Sequence, residues 1–201
     1  MTSEELYKEL DYATAAKANR QRASQWVLAH PETFPKLLET CFNDIGDLSH
    51  KAAWVLEFIC RKQLTHLYPH LNYFFGNLQN ATKDQIVRPM AHLCELLSIA
   101  YYQKKDPQLI DVLSETQKIQ MTERSFDWLI SDQKVACQVR AMTTLYFLGT
   151  EFDWVHPELQ QIIQQNIHCG SPGYKARGRS VLSQITKYNH DNNREQIPKS
   201  K

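Results

Sequence analysis

The chain has 201 residues, of which 42% are hydrophobic and 22% are charged, and its 23 Lys and Arg residues almost balance its 22 Asp and Glu residues. This hydrophobic content excludes a wholly disordered chain. A formal net charge of +1 at pH 7 excludes attraction of nucleic acid or anionic membranes by an overall positive field. The length suits one domain or at most two.

The sequence carries no export or membrane signal. Its first ten residues are charged and helical in character, and no later apolar run approaches the roughly 20 residues that span a bilayer. We therefore expect a soluble, cytoplasmic protein that makes no membrane contact. The cysteines are widely spaced and form no Cys-x-x-Cys pair, which argues against disulfides and a zinc site. Reduced, mostly buried thiols are expected at Cys41, Cys60, Cys94, Cys137 and Cys169.

Apolar residues recur every three to four positions from Trp26-Val27-Leu28 onward, whereas runs of alternating apolar and polar residues are scarce. This period predicts α-helices. Helix breakers divide the chain into short helices joined by short loops. They lie at Pro31, Gly46-Asp47, Asp106-Pro107, His156-Pro157 and Gly170-Ser171-Pro172-Gly173.

One local pattern recurs five times: a basic residue, then usually a small residue, and an apolar residue four positions after the small one. On a helix these last two positions lie one turn apart on one face, and the ninth position extends the same stripe. Because a small side chain lets a neighbouring helix approach, the pattern predicts a packing face. The units are Arg22-Ala23…Val27, Lys51-Ala52…Leu56, Arg88-Pro89…Leu93, Arg140-Ala141…Leu145 and Arg177-Gly178…Leu182.

The units start 29, 37, 52 and 37 residues apart, which is close to the usual periods of helical repeats except for the third interval. That interval predicts an extra helical segment around Thr116–Ile130. Pro35, Pro69 and Pro157 suit the first turn of a second helix, so each unit predicts a helical hairpin. In the third unit Pro89 implies that the first helix either kinks or begins near Arg88.

These units resemble HEAT and armadillo-like repeats, most clearly over Lys51–Ile59 and Arg140–Leu148. The resemblance runs from about Ala15 to Tyr188. It implies an all-α fold, namely an α-α superhelix of about five HEAT-like helical hairpins in one domain over residues 1–188. The polar sequence from Asn189 predicts a flexible C-terminal tail over residues 189–201.

Basic residues are the candidate partner-binding residues. Those of the repeat pattern flank the apolar stripe, where a ladder of cations would receive phosphates or acidic side chains. The tract Gly173–Arg179 is the most basic local run and adds two more. The predicted partner-binding residues are Arg88, Arg140, Lys175, Arg177 and Arg179.

A structural interpretation of the basic residues stays open. Asp47 and Asp84 precede Lys51 and Arg88 by four positions, which is the spacing of ordinary ion pairs on a helix. The basic tract before residue 180 also fits a helix start with solvated basic residues.

The sequence predicts no metal site and no cofactor. His66 and His70 stand four residues apart, close enough to share a metal on a helix, but no third ligand accompanies them in a recognisable motif. Neither His50 nor His92 has a nucleophile at an informative spacing, so no catalytic residue is assigned.

Two functions follow from the resemblance. HEAT-like proteins commonly act as scaffolds, which implies a non-enzymatic interaction module that binds a protein or peptide on a curved helical face. The alternative is a nucleic-acid-binding protein related to the HEAT-like alkylpurine DNA glycosylases, whose catalytic aspartate matches no residue here. That alternative requires Arg88, Arg140, Arg177 and Arg179 to converge on one face with an aspartate and a tryptophan.

Overall fold

The structure is a computed structural model that describes residues 3–14, 16–43 and 45–195. Within these residues the chain is all-α, with eleven α-helices and no β-strand, which confirms the fold class that the apolar period predicts. The helices are α1 (Ser3–Leu10), α2 (Lys17–Ala29), α3 (Phe34–Phe42), α4 (Asp47–Lys62), α5 (Leu71–Asn77), α6 (Asp84–Ser98), α7 (Pro107–Val112), α8 (Glu115–Ile130), α9 (Val135–Leu148), α10 (Val155–Asn166) and α11 (Pro172–Glu195). None of the helices in these ranges is both long and apolar enough to cross a membrane.

Several helices begin where the sequence places a proline. Pro35 lies in the first turn of α3, and Pro107 opens α7 after Asp106, whose side chain accepts a hydrogen bond of 3.0 Å from the backbone N–H of Gln108. Pro69 lies instead in a 3₁₀ segment, Leu64–His70, directly before α5. A proline costs little at the positions of Pro35 and Pro107, because the first turn of a helix has no internal acceptor for its missing N–H.

Pro89 lies inside α6, which begins at Asp84 rather than near Arg88. The missing N–H of Pro89 removes the hydrogen bond that the carbonyl of Gln85 would accept in a regular helix. Gln85 is exposed in the first turn of α6, so water can supply that bond. The helix therefore continues through the proline, and its buried face extends to Leu97.

The chain forms two compact units, Met1–Arg124 and Ser125–Lys201, whose boundary falls within α8. Helix α8 coincides with the extra segment predicted around Thr116–Ile130. The single repeat domain over residues 1–188 stays a prediction, because repeats in an array contact only their neighbours and can themselves form compact units.

In the first unit α4 packs against α2, α3 and α6. The small residues of the first two repeat units, Ala23 and Ala52, are completely buried, as a packing face requires. Helices α4 and α6 are also joined by a short side-chain hydrogen bond, in which His92 Nδ1 lies 2.5 Å from Glu57 Oε1. Burying each large core side chain such as Phe74 contributes roughly 1.5–3 kcal/mol to stability.

In the second unit α9 packs against α10 and α11. Three contacts link α9 and α11 along their length. A Cβ on Gly173 would lie 3.1 Å from Val135, Arg177 is hydrogen-bonded to Thr143, and Tyr188 is hydrogen-bonded to the carbonyl of Thr150. These pairs are 38, 34 and 38 residues apart in number, so α9 and α11 run in the same direction. Two helices that begin successive repeats are expected to be parallel in this way.

Gly178 lies at a close contact between α10 and α11 of the second unit. A Cβ on Gly178 of α11 would lie 2.9 Å from Ile163 Cγ2 of α10, closer than side chains normally pack. The small position of the fifth repeat unit therefore needs glycine, whereas alanine fills that position in α2, α4 and α9.

The repeat pattern marks the buried faces of α2, α4, α6, α9 and α11. Its small position is buried in every unit, and its apolar sixth position is buried in all except the fifth, where Leu182 is only partly buried. Neighbouring Val181 takes the buried position there. The ninth position is partly exposed at Leu96, and at His30 as the sequence indicates.

Helix α11 continues through Glu195, so residues 189–195 of the predicted C-terminal tail are helical, and the flexibility of that tail stays a prediction. The hydroxyl of Tyr188 donates a hydrogen bond of 3.1 Å to the carbonyl of Thr150, which anchors the last packed turn. Between Tyr188 and Glu195 the sequence contains no proline or glycine that would end the helix. The rest of the predicted tail, residues 196–201, lies outside the described residues.

Candidate functional site

Arg88, the one predicted partner-binding residue of the first unit, is engaged in an ion pair. Its Nε lies 3.1 Å from Oδ2 of Asp84, one turn earlier on α6, which confirms the structural interpretation of that residue. Lys51 differs, because its Nζ lies 3.7 Å from Oδ1 of Asp11, in the segment after α1, rather than beside Asp47. The α1–α2 connection thus supplies a partner that helix spacing alone does not reveal.

The other four predicted basic residues lie in the second unit and divide into two pairs. Arg177 Nη1 donates a hydrogen bond of 3.0 Å to Thr143 Oγ1 on α9, and Arg140 lies one turn before Thr143 on the same side of that helix. Lys175 and Arg179 are one turn apart on α11, on the side opposite Arg177 by the 100° step of a helix. The basic tract of α11 therefore does not form a single positive face.

A groove lies between α8, α9, α10 and the start of α11 in the second unit. We call it the amide groove because carboxamides form much of its wall, and its volume is about 430 Å³. That volume lies within the range of ligand-binding clefts. None of its lining residues carries a formal charge; they are Leu129, Ile130, Gln138, Ile162, Gln165, Asn166, Cys169, Gly170, Ser171 and Tyr174.

The wall of the amide groove offers free hydrogen-bonding groups. Asn166 Nδ2 donates to the carbonyl of Ile162 at 2.9 Å, which leaves Asn166 Oδ1 as an acceptor. The side-chain amides of Gln138 and Gln165 make no hydrogen bond to the described residues. Each free glutamine can donate two hydrogen bonds and accept two.

Tyr174 contributes a buried hydroxyl beside the groove. Its side chain is buried, and its hydroxyl oxygen has no hydrogen-bond partner among the described residues. Burial raises the pKa of Tyr174, so the hydroxyl stays protonated and remains a donor at neutral pH. An unpaired buried donor is uncommon, because such groups are normally satisfied by protein or water.

One exposed apolar residue, Ile130, lines the amide groove, and an aromatic pair lies one helical turn away from it. Ile130 is 66% exposed at the end of α8, and Phe126 lies one turn earlier on the same face. Trp154, which is 55% exposed, stacks on Phe126 with 5.5 Å between the ring centroids. Large exposed apolar residues that adjoin a groove are typical of protein-binding surfaces.

Sequence reasoning did not single out the residues of the amide groove. Glutamines and asparagines on helix faces look like ordinary solvated positions, and their convergence depends on how α9 and α10 pack. The sequence only weakly indicates that Ile130 and Trp154 are exposed, because both are large apolar residues next to predicted loops. Four of the five cysteines are buried, which confirms the prediction of mostly buried thiols, and Cys169 is exposed at the groove.

A smaller recess lies in the first unit, around His66 and His70. His66 and His70 lie in the 3₁₀ segment and flank the ring of Phe34, with ring centroids 6.1 and 5.2 Å away. The recess has a volume of about 190 Å³, and burial lowers the pKa of His70. No group of three or more His, Cys, Asp or Glu residues that could hold a metal occurs within residues 3–14, 16–43 and 45–195.

The arrangement of the amide groove thus combines neutral hydrogen-bonding groups, an apolar floor and exposed apolar residues at the rim. The lining residues of the groove include no charged side chain that could act as a general base. Comparison with known proteins adds no relative: no family model, no curated protein and no solved structure matches this chain.

Proposed function

We propose that the protein is a non-enzymatic interaction module that binds an extended segment of a partner protein in the amide groove. The observation that carries the proposal is the uncharged, carboxamide-lined wall of a groove that also includes the exposed Ile130. The parallel direction of α9 and α11, with contacts 34–38 residues apart, supports a HEAT-like arrangement of this unit.

Carboxamides suit the backbone of an extended peptide. Such a backbone presents both N–H donors and C=O acceptors, and a glutamine side chain can satisfy one of each. Gln138 and Gln165 are free to do so, and Asn166 keeps its acceptor oxygen. Hydrogen bonds to the peptide main chain depend little on the peptide's sequence. Specificity therefore comes from the peptide side chains that enter the groove.

The apolar residues supply that specificity. Leu129 and Ile162 form a buried apolar floor that can receive one apolar side chain of the segment. Ile130 and the Trp154–Phe126 stack provide anchors beyond the groove, and aromatic anchors of this kind often dominate binding energy. The partner segment is therefore expected to be neutral and to carry at least one large apolar residue.

The same lining argues against nucleic acid as the occupant of this groove. Binding a phosphate backbone requires cations that neutralise it, and none of the groove residues is charged. The basic pair Arg140 and Arg177 lies on the α9–α11 side instead. The nucleic-acid alternative therefore depends on the surface that carries Arg140 and Arg177, outside the groove.

The experiment is a selection of random twelve-residue peptides on the immobilised full chain, followed by anisotropy titration of the selected peptides. We expect Ile130→Ala to weaken binding about tenfold or more, since an apolar side chain contributes roughly 1.5–3 kcal/mol when buried. Gln165→Ala should weaken it about fivefold, the effect of one hydrogen bond of roughly 1 kcal/mol. Gln184→Ala, which removes an exposed amide of α11 outside the groove, is the matched control.

Selected peptides that bind all these variants with equal affinity would refute the groove as the binding site. A titration with labelled duplex and single-stranded DNA tests the alternative. DNA binding that weakens steeply with salt and is lost in Arg177→Gln, together with a failed peptide selection, would favour the nucleic-acid function.

A further inference from the structure

Two neighbouring recesses lie on one surface of the first unit. The first is the recess of about 190 Å³ around His66 and His70, which we call the apolar recess. The second, which we call the acidic recess, has a volume of about 370 Å³ and is lined by residues of the 3₁₀ turn Pro31–Thr33, of α3 and of α5. His70 lines both recesses, so they adjoin each other.

The apolar recess suits a single apolar side chain. Val27 and Phe34 line it and are almost completely buried, whereas Leu28 lines it with 38% of its surface exposed. Its volume is smaller than the roughly 300–1,000 Å³ of small-molecule sites. An exposed leucine beside a small apolar hollow therefore fits one side chain of another chain better than a free ligand.

The acidic recess carries an excess of negative charge. Its lining includes two carboxylates, Glu32 and Glu39, and one ammonium group, Lys36. Nζ of Lys36 lies 2.9 Å from Oε1 of Glu39, and this hydrogen bond raises the pKa of Lys36. Burial lowers the pKa of His70, so its imidazole adds no positive charge at neutral pH. One carboxylate of the recess therefore stays uncompensated.

Glu32 is that carboxylate. It is exposed, and it makes no hydrogen bond or ion pair with any residue that the structure describes. Tyr73 lines the same recess and is 39% exposed. A guanidinium group suits this pair, because it can donate two hydrogen bonds to a carboxylate and stack on an aromatic ring.

The closeness of the two recesses sets the spacing of the side chains that would fill them. Consecutive residues divide between them: Pro31 lines the apolar recess and Glu32 the acidic one, and Phe34 and Pro35 divide in the same way. In an extended segment, side chains two positions apart lie on the same side and are separated by roughly 6.5 Å. A step of that length is expected to lead from one recess to the other.

We propose that this surface binds an extended segment of a partner protein that carries an apolar residue and, two positions away, an arginine. The apolar side chain enters the apolar recess beside Leu28, and the guanidinium enters the acidic recess, where it bonds to Glu32 and stacks on Tyr73. Charge complementarity with Glu32 determines the kind of partner. The amide groove has no charged lining residue and shares no residue with this surface, so the inference does not rest on the proposed function.

The experiment is a phage selection on the immobilised full chain with twelve-residue peptides that keep Leu and Arg two positions apart, followed by anisotropy titration of the selected peptides. We expect Leu28→Ala to weaken their binding about fivefold, since it removes apolar surface that the peptide covers. Glu32→Gln should weaken it about threefold, as expected for an exposed ion pair. Selection of no binding peptide would overturn the proposal.

Two exposed residues elsewhere provide matched controls. Ile110→Ala changes an exposed apolar residue of α7, and Glu158→Gln changes an exposed glutamate in the first turn of α10. Neither residue lines the two recesses, so both variants should bind the selected peptides like the original protein. A loss in these controls equal to that in Leu28→Ala and Glu32→Gln would overturn the site.

Charge reversal tests the ion pair directly. At low ionic strength, Glu32→Lys should weaken the arginine peptides about tenfold or more, and should bind matched peptides with glutamate in place of arginine more tightly than the original protein does. The unfolding temperature should change little, because Glu32 is exposed. If Glu32→Lys weakens both kinds of peptide equally, Glu32 does not recognise a cation and the proposal fails.

Three measurements separate a partner segment from other occupants. N-acetylarginine amide should bind far more weakly than the peptides, and equal binding would overturn the docking surface in favour of a free cation. Sedimentation should show no dimer that Leu28→Ala abolishes, because such a dimer would assign the surface to a second copy of the chain and overturn the proposal. Ile130→Ala should not change the affinity of these peptides, and a loss would place them in the amide groove instead.

Discussion

Replacing Gly149 by alanine should destabilise the second unit through one contact. Gly149 follows α9 with ordinary backbone angles, φ −67° and ψ −10°, so alanine meets no backbone strain there. A Cβ would nevertheless lie 2.5 Å from Nε2 and 2.7 Å from Cγ of His156. The imidazole must move, and the cost depends on what holds it in place.

His156 is held on several sides. Its Nε2 is 2.8 Å from the carbonyl of Tyr146, and its ring stacks on Tyr146 and meets Tyr188 edge-on at centroid distances of 5.6 and 5.2 Å. Forcing an extra methyl into a packed core costs about 1–3 kcal/mol, and leaving a buried polar group unpaired costs about 1–3 kcal/mol. We expect Gly149→Ala to lower the free energy of unfolding by roughly 2–5 kcal/mol, a large part of a typical total.

Urea unfolding followed by circular dichroism measures this effect. The matched control is Gly76→Ala in α5, where a Cβ meets no atom within 4 Å and alanine should stabilise the helix by about 0.5–1 kcal/mol. In a His156→Ala background the clash disappears, so Gly149→Ala should then cost little. The reasoning fails if Gly149→Ala behaves like Gly76→Ala, or if its cost is the same with and without the imidazole.

Three further outcomes follow from buried and exposed groups. Burial lowers the pKa values of His70 and His156 below 6.5, so the unfolded chain binds more protons than the native protein at acidic pH. The urea concentration at the midpoint of unfolding should therefore stay constant above pH 6.5 and decrease towards pH 5. A midpoint that does not change with pH would contradict this. Ellman's reagent should modify one thiol rapidly in the native protein, and Cys169→Ser should abolish that phase; rapid reaction of a second thiol would show that the buried cysteines are accessible. Glu57→Gln removes the carboxylate that pairs with His92 between α4 and α6, and should cost about 1–3 kcal/mol in urea unfolding; no measurable cost would mean that the pair adds nothing to the packing of these helices.

The sequence predicted the helices and their buried faces well because both depend on local rules. The small and apolar positions of the pattern, such as Ala52 and Leu56, are buried where a 3.6-residue period puts them. The extra helix α8 followed from one long interval between repeat units. Even the separation of Arg177 from Lys175 and Arg179 could have been predicted, since it needs only the 100° helical step.

The candidate sites could not be predicted in the same way, because they depend on contacts between elements. Gln138 and Gln165 meet only through the packing of α9 on α10, and nothing in their own segments distinguishes them from solvated residues. The exposure of Cys169 depends on the turn before α11.

The close crossing at Gly178 has a consequence for engineering this chain from its own repeats. Averaging the five units into a consensus would place alanine at the second position, as α2, α4 and α9 have it. That substitution, which consensus design would class as stabilising, would press a methyl group against Ile163 and push α10 away from α11. The units therefore share a pattern but are not interchangeable parts, and a shuffled or consensus version of this protein would have to keep the fifth unit as it is.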